Sequence, residues 1–313
     1  MGWLIGCLFR LLLLALVLAL LAAAALYALP VALMNVEPAN MDLSLTDGLP
    51  GNRVNILLLG LDAMDGTGQR SDAMIVASVG YDGVRLTSLM RDTVVDIPDH
   101  GRQRLNAAYA IGGAELAMRT INQNFHLNIT NYVAADFRAL VDVIDALGGV
   151  EVEVSQSELK YLNAYAFYTY RTISELNPDK YAHYASSQPI YSTGTMLLNG
   201  LFATGYSRIR YSDSDYVRTS RQREVLSAMV ARFRDHWWDP RIYARLFIAL
   251  RDSIDTNLSM PELISLGEKV LISGEVATLR LPLDNYLHDN YYTIEITDMD
   301  ATIRELHAFI YES

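Results

Sequence analysis

The stretch from Tyr206 to Gln222 gathers Arg208, Arg210, Arg218 and Arg221 with Asp213 and Asp215, in a chain that is otherwise poor in charge. Val225, Leu226, Met229, Val230 and Phe233 follow at helical spacing, and such a helix extended back would begin near Arg218. Positions four and seven apart share a helix face, so Arg218 and Gln222 fall on the stripe of Val225 and Met229, and Arg223 is expected to point to solvent. A cation on a core-facing stripe is costly unless it is paired or bound to an anion. The rigid guanidinium fork suits carboxylate and phosphate oxygens. The stretch is therefore either a partly buried anion site or a structural Arg–Asp network that closes a domain.

Residues elsewhere favour the anion site. Asp62, Asp72 and Arg91 all stand at or just beyond the ends of β-prone runs, where sites on sheet proteins gather. A purely structural network has no need of acids at separate strand ends. Two carboxylates beside an arginine cluster suit a hard divalent cation, Mg²⁺ (or Mn²⁺), which takes one or two carboxylates plus the phosphate oxygens of a substrate.

The elements that must position these groups follow from the apolar pattern. Val54 to Leu59 is a short β-prone run ending at Gly60 and predicts a buried central strand. Ala73 to Val79 and Val84 to Leu89 are joined by Gly80-Tyr81-Asp82-Gly83, which predicts an antiparallel hairpin. A helix is expected from Gly112-Gly113 to about Phe125, then a short strand at Tyr132 and Val133. Asp136 is placed to cap a helix whose inner face carries Leu140, Val141, Ile144 and Leu147, with Gly148-Gly149 at its end. Val150, Val152 and Val154 alternate as a strand. Between Lys160 and Tyr191 the periodicity dissolves into a tyrosine-rich segment, either a surface for sugars and apolar groups or an irregular helix pair covering the core. A short helix is expected over Leu198 to Thr204. Further helices should start at Asp239-Pro240 and at the capping box Ser259–Glu262, the latter ending near Gly267. Strands at Val276–Leu281 and Tyr292–Ile296 and a last helix through Met299, Ile303, Leu306 and Ile310 complete the chain. Mixed strands and helices of this kind predict an α/β fold, a layered α-β-α domain with a mixed central sheet.

The chain has 313 residues, 51% hydrophobic and 19% charged, with a net charge of -11. That composition suits a folded protein, and the acidity argues against a sequence-independent nucleic-acid binder, which needs a basic face. Cys7 is the only cysteine, which excludes an intramolecular disulfide and thiolate metal sites. From Leu11 to Leu29 no residue is charged, and the run is long enough to cross a bilayer. Arg10 precedes it, and Glu37 and Asp42 follow it. The expected organisation is a cytoplasmic N-terminus (1–10), one transmembrane helix (11–34), a polar linker (35–51) and an extracytoplasmic domain (52–313), that is, a single-pass plasma-membrane protein. The histidines are scattered without ligand spacing. Gly66-x-Gly68 lacks the third glycine and the following helix of a dinucleotide loop, and no Gly-x-Ser-x-Gly elbow or Walker-type loop is present.

Taken in order, the blocks Asn55–Asp62 with Arg70-Ser71-Asp72, Ser88–Thr93, Arg104–Tyr109 with Gly112-Gly113, and Leu198-Asn199-Gly200 through Gln222 resemble the LytR–CpsA–Psr family of cell-wall glycopolymer transferases. Leu147-Gly148-Gly149-Val150 adds a weaker match. The resemblance implies an extracytoplasmic enzyme that moves a glycan phosphate from a polyprenyl diphosphate carrier to peptidoglycan, forming a phosphodiester. It implies that Asp62 and Asp72 hold Mg²⁺, and that Arg91, Arg104, Arg208, Arg210, Arg218 and Gln222 grip the diphosphate. Arg91, Asp215 and Arg218 would be catalytic, with Asp215 binding metal or taking a proton from the acceptor hydroxyl. The chain departs from the family in carrying Met90 where proline is usual and Val217 where glycine is usual. Competing functions are a non-catalytic, membrane-tethered binder of glycan or lipid carrier with a regulatory role, and a polyprenyl diphosphate pyrophosphatase.

Overall fold

The computed structural model describes residues 42–61, 71–209, 215–251, 254–272, 274–290 and 292–312. Strands β1 (Arg53–Leu61), β2 (Ser71–Gly80) and β3 (Gly83–Leu89) come first, followed by a small hairpin of β4 (Val94–Ile97) and β5 (Gly101–Arg104). Helix α1 (Asn106–Phe125), β6 (Asn131–Ala135), α2 (Phe137–Ala146), β7 (Val150–Val154), α3 (Gln156–Leu176) and α4 (Pro178–Tyr181) continue the chain. Then come β8 (Gly194–Leu198), α5 (Gly200–Ser207), α6 (Asp215–Asp235), α7 (Pro240–Arg251), β9 (Ile254–Thr256) and α8 (Met260–Ile272). The C-terminal part holds β10 (Glu275–Leu281), β11 (Leu287–Asp289), β12 (Ile294–Ile296) and α9 (Met299–Tyr311). The expected transmembrane segment at 11–34 lies outside the described residues. No helix among the described residues is long and apolar enough to cross a membrane.

The central sheet has the order β10-β3-β2-β1-β6-β9. The β1–β2 and β2–β3 pairs are antiparallel, as the Asp82-Gly83 turn predicts, whereas β1–β6 and β3–β10 are parallel. β1, β3, β6 and β10 therefore run in one direction, and their C-terminal ends share one edge of the sheet. Alternation along the strands loads both faces. Leu57, Leu59, Met74, Val76 and Leu89 pack with Ile121, Leu306 and Ile310 of α1 and α9. Ile75, Ala77, Val79, Val84 and Leu86 face Leu226 of α6 and Leu266 and Val270 of α8. The sheet is covered on both sides, which is why its strands read as nearly continuous apolar runs.

A second apolar cluster joins α2, α3 and α5 to β7 and β8. Asp136 caps α2 by accepting from the Arg138 and Ala139 backbone N–H groups, as predicted. Of the two readings of the tyrosine-rich segment the structure has the helix pair covering the core: the long helix α3, opened by a capping box of Ser155 and Glu158, then α4 and a 3-10 turn over Ala182–Ser186, with Tyr181 and Tyr184 buried. Leu198 ends a strand rather than starting a helix, since Asn199 caps α5 one residue later. Helix α8 runs through Gly267 to Ile272, because glycine weakens a helix without ending it. The helix pair is tightened by glycine: a Cβ on Gly200 would stand 2.2 Å from the Val141 carbonyl oxygen, and one on Gly205 2.7 Å from the Ala166 nitrogen. Gly200→Ala is expected to lower unfolding free energy by about 1–3 kcal/mol in urea titration, as backbone cannot rotate aside.

Candidate anion site at the sheet edge

Of the residues singled out from the sequence, Asp72, Arg91 and Arg208 lie by the strand ends at the edge where β1, β3 and β6 end, and Arg218 stands in the first turn of the helix that packs there. In the last turns of the β1–β2 ladder Gly60 pairs with Ala73 and Leu61 with Ser71. Asp72 is thus the extra residue of a β-bulge, a device that re-aims a strand at its end. Ser71 fixes the bulge by donating its hydroxyl to the Ala73 carbonyl at 2.7 Å. Asp62 follows Leu61 directly in sequence and lies outside the described residues, as do Arg210 and Asp213.

Arg91 stands two residues beyond β3. Its Nε meets Asp92 Oδ2 at 3.3 Å, while Arg104, the last residue of β5, reaches Asp92 Oδ1 at 3.2 Å. Asp92 thereby ties the two arginines together, and its own carbonyl accepts from Ile294 N–H at 2.9 Å. The Asn106 backbone N–H donates to the Arg91 carbonyl at 3.1 Å, closing the β4–β5 hairpin onto the start of α1. Beyond Arg104 a cavity of about 370 Å³ is lined by Arg102, Gln103, Asn106 and Thr293 among others.

Helix α6 extends back beyond Arg218, as the apolar stripe predicts. Arg218 is 3% exposed and Val225 1%, with Gln222 half-buried one turn on. Asp215 opens this helix. Thr219 donates its hydroxyl to Met90 Sδ at 3.7 Å, which presses the first turn of α6, the turn that carries Arg218, against the end of β3. Met90 also donates its backbone N–H to the Leu281 carbonyl at 2.9 Å, a bond proline could not make. Val217 lies in the helical backbone of α6, a conformation that does not require glycine.

Arg208 approaches from the other side. Its guanidinium stacks over the Phe137 ring at 4.0 Å and donates to Thr169 Oγ1 at 3.0 Å. Phe137 begins α2 directly after β6. β6 and β3 are three strand spacings apart, roughly 14 Å, so Arg208 and Arg91 stand by different strand ends of the same edge.

The structure places two arginines differently from the simple stripe. Arg221 is 5% exposed. It pairs with Glu158 at 2.8 Å and donates to the Ile209 carbonyl at 3.1 Å. It is a fastener for the chain entering the arginine stretch. The Tyr206 hydroxyl lies 2.8 Å from a Glu224 oxygen and 3.1 Å from a Glu158 oxygen, with its one proton between the two carboxyl groups. Burial and these two carboxylates raise the Tyr206 hydroxyl far above the ordinary phenol range. Burial also lifts Glu224. It acts upward on Glu158 too, but there the hydrogen bonds from Ser155 and Arg221 outweigh it and hold the carboxyl below its ordinary value.

Arg223, expected in solvent, has its Nε and Nη1 enclosed and without hydrogen-bond partners among the described residues. Burial, with the nearby charge of Arg280, lowers its pKa. Arg223 follows Thr219 by one turn and shares its bearing toward β3. Residues the sequence reading did not assign are Asp92, Phe137, Thr169 and Glu158. Of these only Glu158 carried a local signal, the Ser-x-x-Glu spacing.

Among the described residues no group of three or more His, Cys, Asp or Glu is gathered to hold a metal. The donors described at this edge are guanidinium groups, with Asp72 at the bulge, an arrangement suited to an anion carrying several charges.

Comparison with known proteins agrees with this architecture. Residues 33–308 match the family model described as the LytR_cpsA_psr family. A protein of Enterococcus faecalis (strain ATCC 700802 / V583) named polyisoprenyl-teichoic acid–peptidoglycan teichoic acid transferase TagU is 34% identical over 67% of this chain. The corresponding transferase TagT of Bacillus subtilis (strain 168) is 29% identical over 72% of it. The matches span 63% and 67% of those relatives' own lengths. A solved structure of TagT bound to LIIa-WTA superposes with a TM-score of 0.64 at 24% identity, over 87% of this chain and 92% of that one. A TagT structure with bound octaprenyl pyrophosphate gives 0.59 at 23% identity, over 87% and 93%. The mixed sheet, the arginines at its edge and the family match over most of the length lead to one conclusion: this chain belongs to the LytR_cpsA_psr family.

Proposed function

We propose that this protein transfers the phosphate of a lipid-linked glycopolymer from a polyprenyl diphosphate carrier to peptidoglycan. The observation that carries the reading is the placement of Arg91, Arg208 and Arg218 by the strand ends of one sheet edge. Relatives named as teichoic acid transferases, and a fold shared with a protein that binds octaprenyl pyrophosphate, support it. Phosphoryl transfer relies mainly on positioning and charge neutralisation, and guanidinium groups along this edge would supply both. Arg91 and Arg218 would hold the diphosphate from the β3 side and Arg208 from the β6 side. Arg210 and Gln222 would complete the grip, with Arg104 at its outer rim. An acceptor hydroxyl would form the new P–O bond while the bond to the departing polyprenyl phosphate breaks. Asp215, at the start of α6, would take the hydroxyl proton. The cavity beside Arg104 has room and polar lining for sugar residues.

Asp62 and Asp72 would hold Mg²⁺ or Mn²⁺. The fit rests on hard carboxylate oxygens following each member of the terminal Leu61–Ser71 pair. The cation would neutralise charge on the diphosphate oxygens. The run Leu11–Leu29 would keep the domain, outside the cell, at the plasma membrane where such carriers reside.

The test is to incubate the purified protein with a polyprenyl diphosphate oligosaccharide and divalent cation, with and without peptidoglycan oligomers. Release of polyprenyl phosphate together with glycan-labelled peptidoglycan, only when acceptor is present, is the expected result. Equal release without acceptor would make the protein a pyrophosphatase. Binding with no release would make it the regulatory binder.

A further inference from the structure

We propose that the corner joining α6 to α7, centred on Trp237 and Trp238, docks onto an anionic lipid surface. This deepens the membrane-tethered part of the reading above and rests on it. Trp237 and Trp238 are 54% and 66% exposed, and Ile248 on α7 and Ile272 at the end of α8 are 66% and 69% exposed. Arg234 Nε donates to the Val270 carbonyl at 2.8 Å, so the C-terminal ends of α6 and α8 meet and Ile272 joins the same corner. Tyr243 donates its hydroxyl to the Trp237 carbonyl at 2.7 Å and fixes the turn. Arg241 and Arg245 are exposed on the outer face of α7, one turn apart, with Arg241 held against Asp239 at 2.9 Å.

Large apolar side chains left in solvent beside arginines are the composition of an interfacial surface. Indoles settle at headgroup level, and arginines are drawn to anionic headgroups. In a protein of net charge -11 this corner sets Arg241 and Arg245 against Asp239 and Asp235, a local charge balance that opposes anionic headgroups far less than the rest of the chain would.

Position supports the same occupant. Helix α6 starts at the arginine edge of the sheet, and its 21 residues carry the chain roughly 30 Å to the opposite edge. The polypeptide also enters the domain at that opposite edge. Leu43 O accepts from Asn122 Nδ2 at 3.0 Å and Thr46 N–H donates to Leu127 O at 3.0 Å, just ahead of the start of β6. From Pro30, after the uncharged run, to Asp42 the chain spans at most about 40 Å when fully extended. The edge carrying Trp237 and Trp238 is thus the one held toward the bilayer, with the arginine site facing away from it.

Fluorescence can read this directly, because the sequence has three tryptophans and Trp3→Phe leaves only Trp237 and Trp238. The full chain with Trp3→Phe would be reconstituted into vesicles of equal phosphatidylglycerol and phosphatidylcholine, with plain or brominated acyl chains. Brominated lipid should lower the emission about twofold or more, and Arg241→Glu with Arg245→Glu should remove most of that quenching. Flotation after carbonate extraction reports separately on the tether. A chain that floats but shows equal emission in the two vesicle types overturns the docking and leaves the tether standing. A chain that neither floats nor is quenched overturns both. A blue shift that grows with protein-to-lipid ratio, without bromine quenching, assigns the corner to self-association and also overturns the proposal.

Discussion

Arg218→Ala is expected to lower acceptor-dependent release of polyprenyl phosphate by about 10²–10³-fold, equivalent to roughly 2.7–4 kcal/mol of barrier. Arg218 is 3% exposed and sits one residue from the Thr219–Met90 contact that seats α6 on β3. A guanidinium so enclosed acts in a low dielectric, where stabilising developing charge is worth far more than in water. Its neighbours keep the turn in place without it, since Thr219 and Arg221 retain their own partners. The thermal midpoint of the variant should therefore stay close to wild type while turnover collapses. Arg218→Lys keeps the charge but loses the fork, and an intermediate rate is expected. Turnover within threefold of wild type for the alanine variant, under conditions where the wild type is limited by chemistry, would remove Arg218 from the mechanism.

The arginines were legible in the sequence because they are concentrated where charge is scarce and stand ahead of a helical stripe. What fixes them was not. Asp92 bridges Arg91 and Arg104, and Phe137 and Thr169 hold Arg208. The Arg208 contacts join residues far apart in the chain, and such pairings leave no periodic trace. The bulge that singles out Asp72 depends on the register of two strands, which only the assembled ladder defines.

The same distinction runs through the fold. β1, β2 and β3 announce themselves as apolar runs around an Asp-Gly turn, and Asp136 caps α2 where expected. The β4–β5 hairpin escaped because β5 reads Gly-Arg-Gln-Arg and is exposed throughout, so no alternation marks it. Helix α3 was obscured by tyrosines on both its faces. Tyr161 and Tyr165 pack on the second core and Tyr168 is exposed. Its Ser155–Glu158 capping box was present in the sequence all the same. Arg223 was misjudged because the stripe rule assumes one buried face. Helix α6 packs against α8 and the sheet on one side and against β7 and α5 on the other, which leaves little solvent face.

Arg221→Ala should cost about 3–5 kcal/mol of unfolding free energy, the usual penalty for stranding one member of a buried ion pair. Arg221 and Glu158 have side chains only 6% and 14% exposed. Removing the cation leaves the Glu158 carboxylate facing Tyr206 and close to Glu224. Glu158→Ala should be comparably harmful, and the double variant far less so than the sum, since an apolar pair strands no charge. The acid limb of stability gives a second reading. Glu158 is held below its ordinary value, so its contribution is present above the unfolded pKa and is lost as pH falls through the folded one. Without Arg221 a principal cause of that depression is gone, and the acid-side loss attributable to Glu158 should shrink. Glu224, raised by burial, acts in the opposite sense, favouring the fold below its unfolded pKa and losing that as pH rises through the folded value. Activity should fall along with stability, because Arg221 Nη1 also holds the Ile209 carbonyl at the threshold of the arginine stretch. Urea titrations of wild type, both single variants and the double variant across acid to neutral pH separate these effects. Additive single costs would show that Arg221 and Glu158 do not act as a pair.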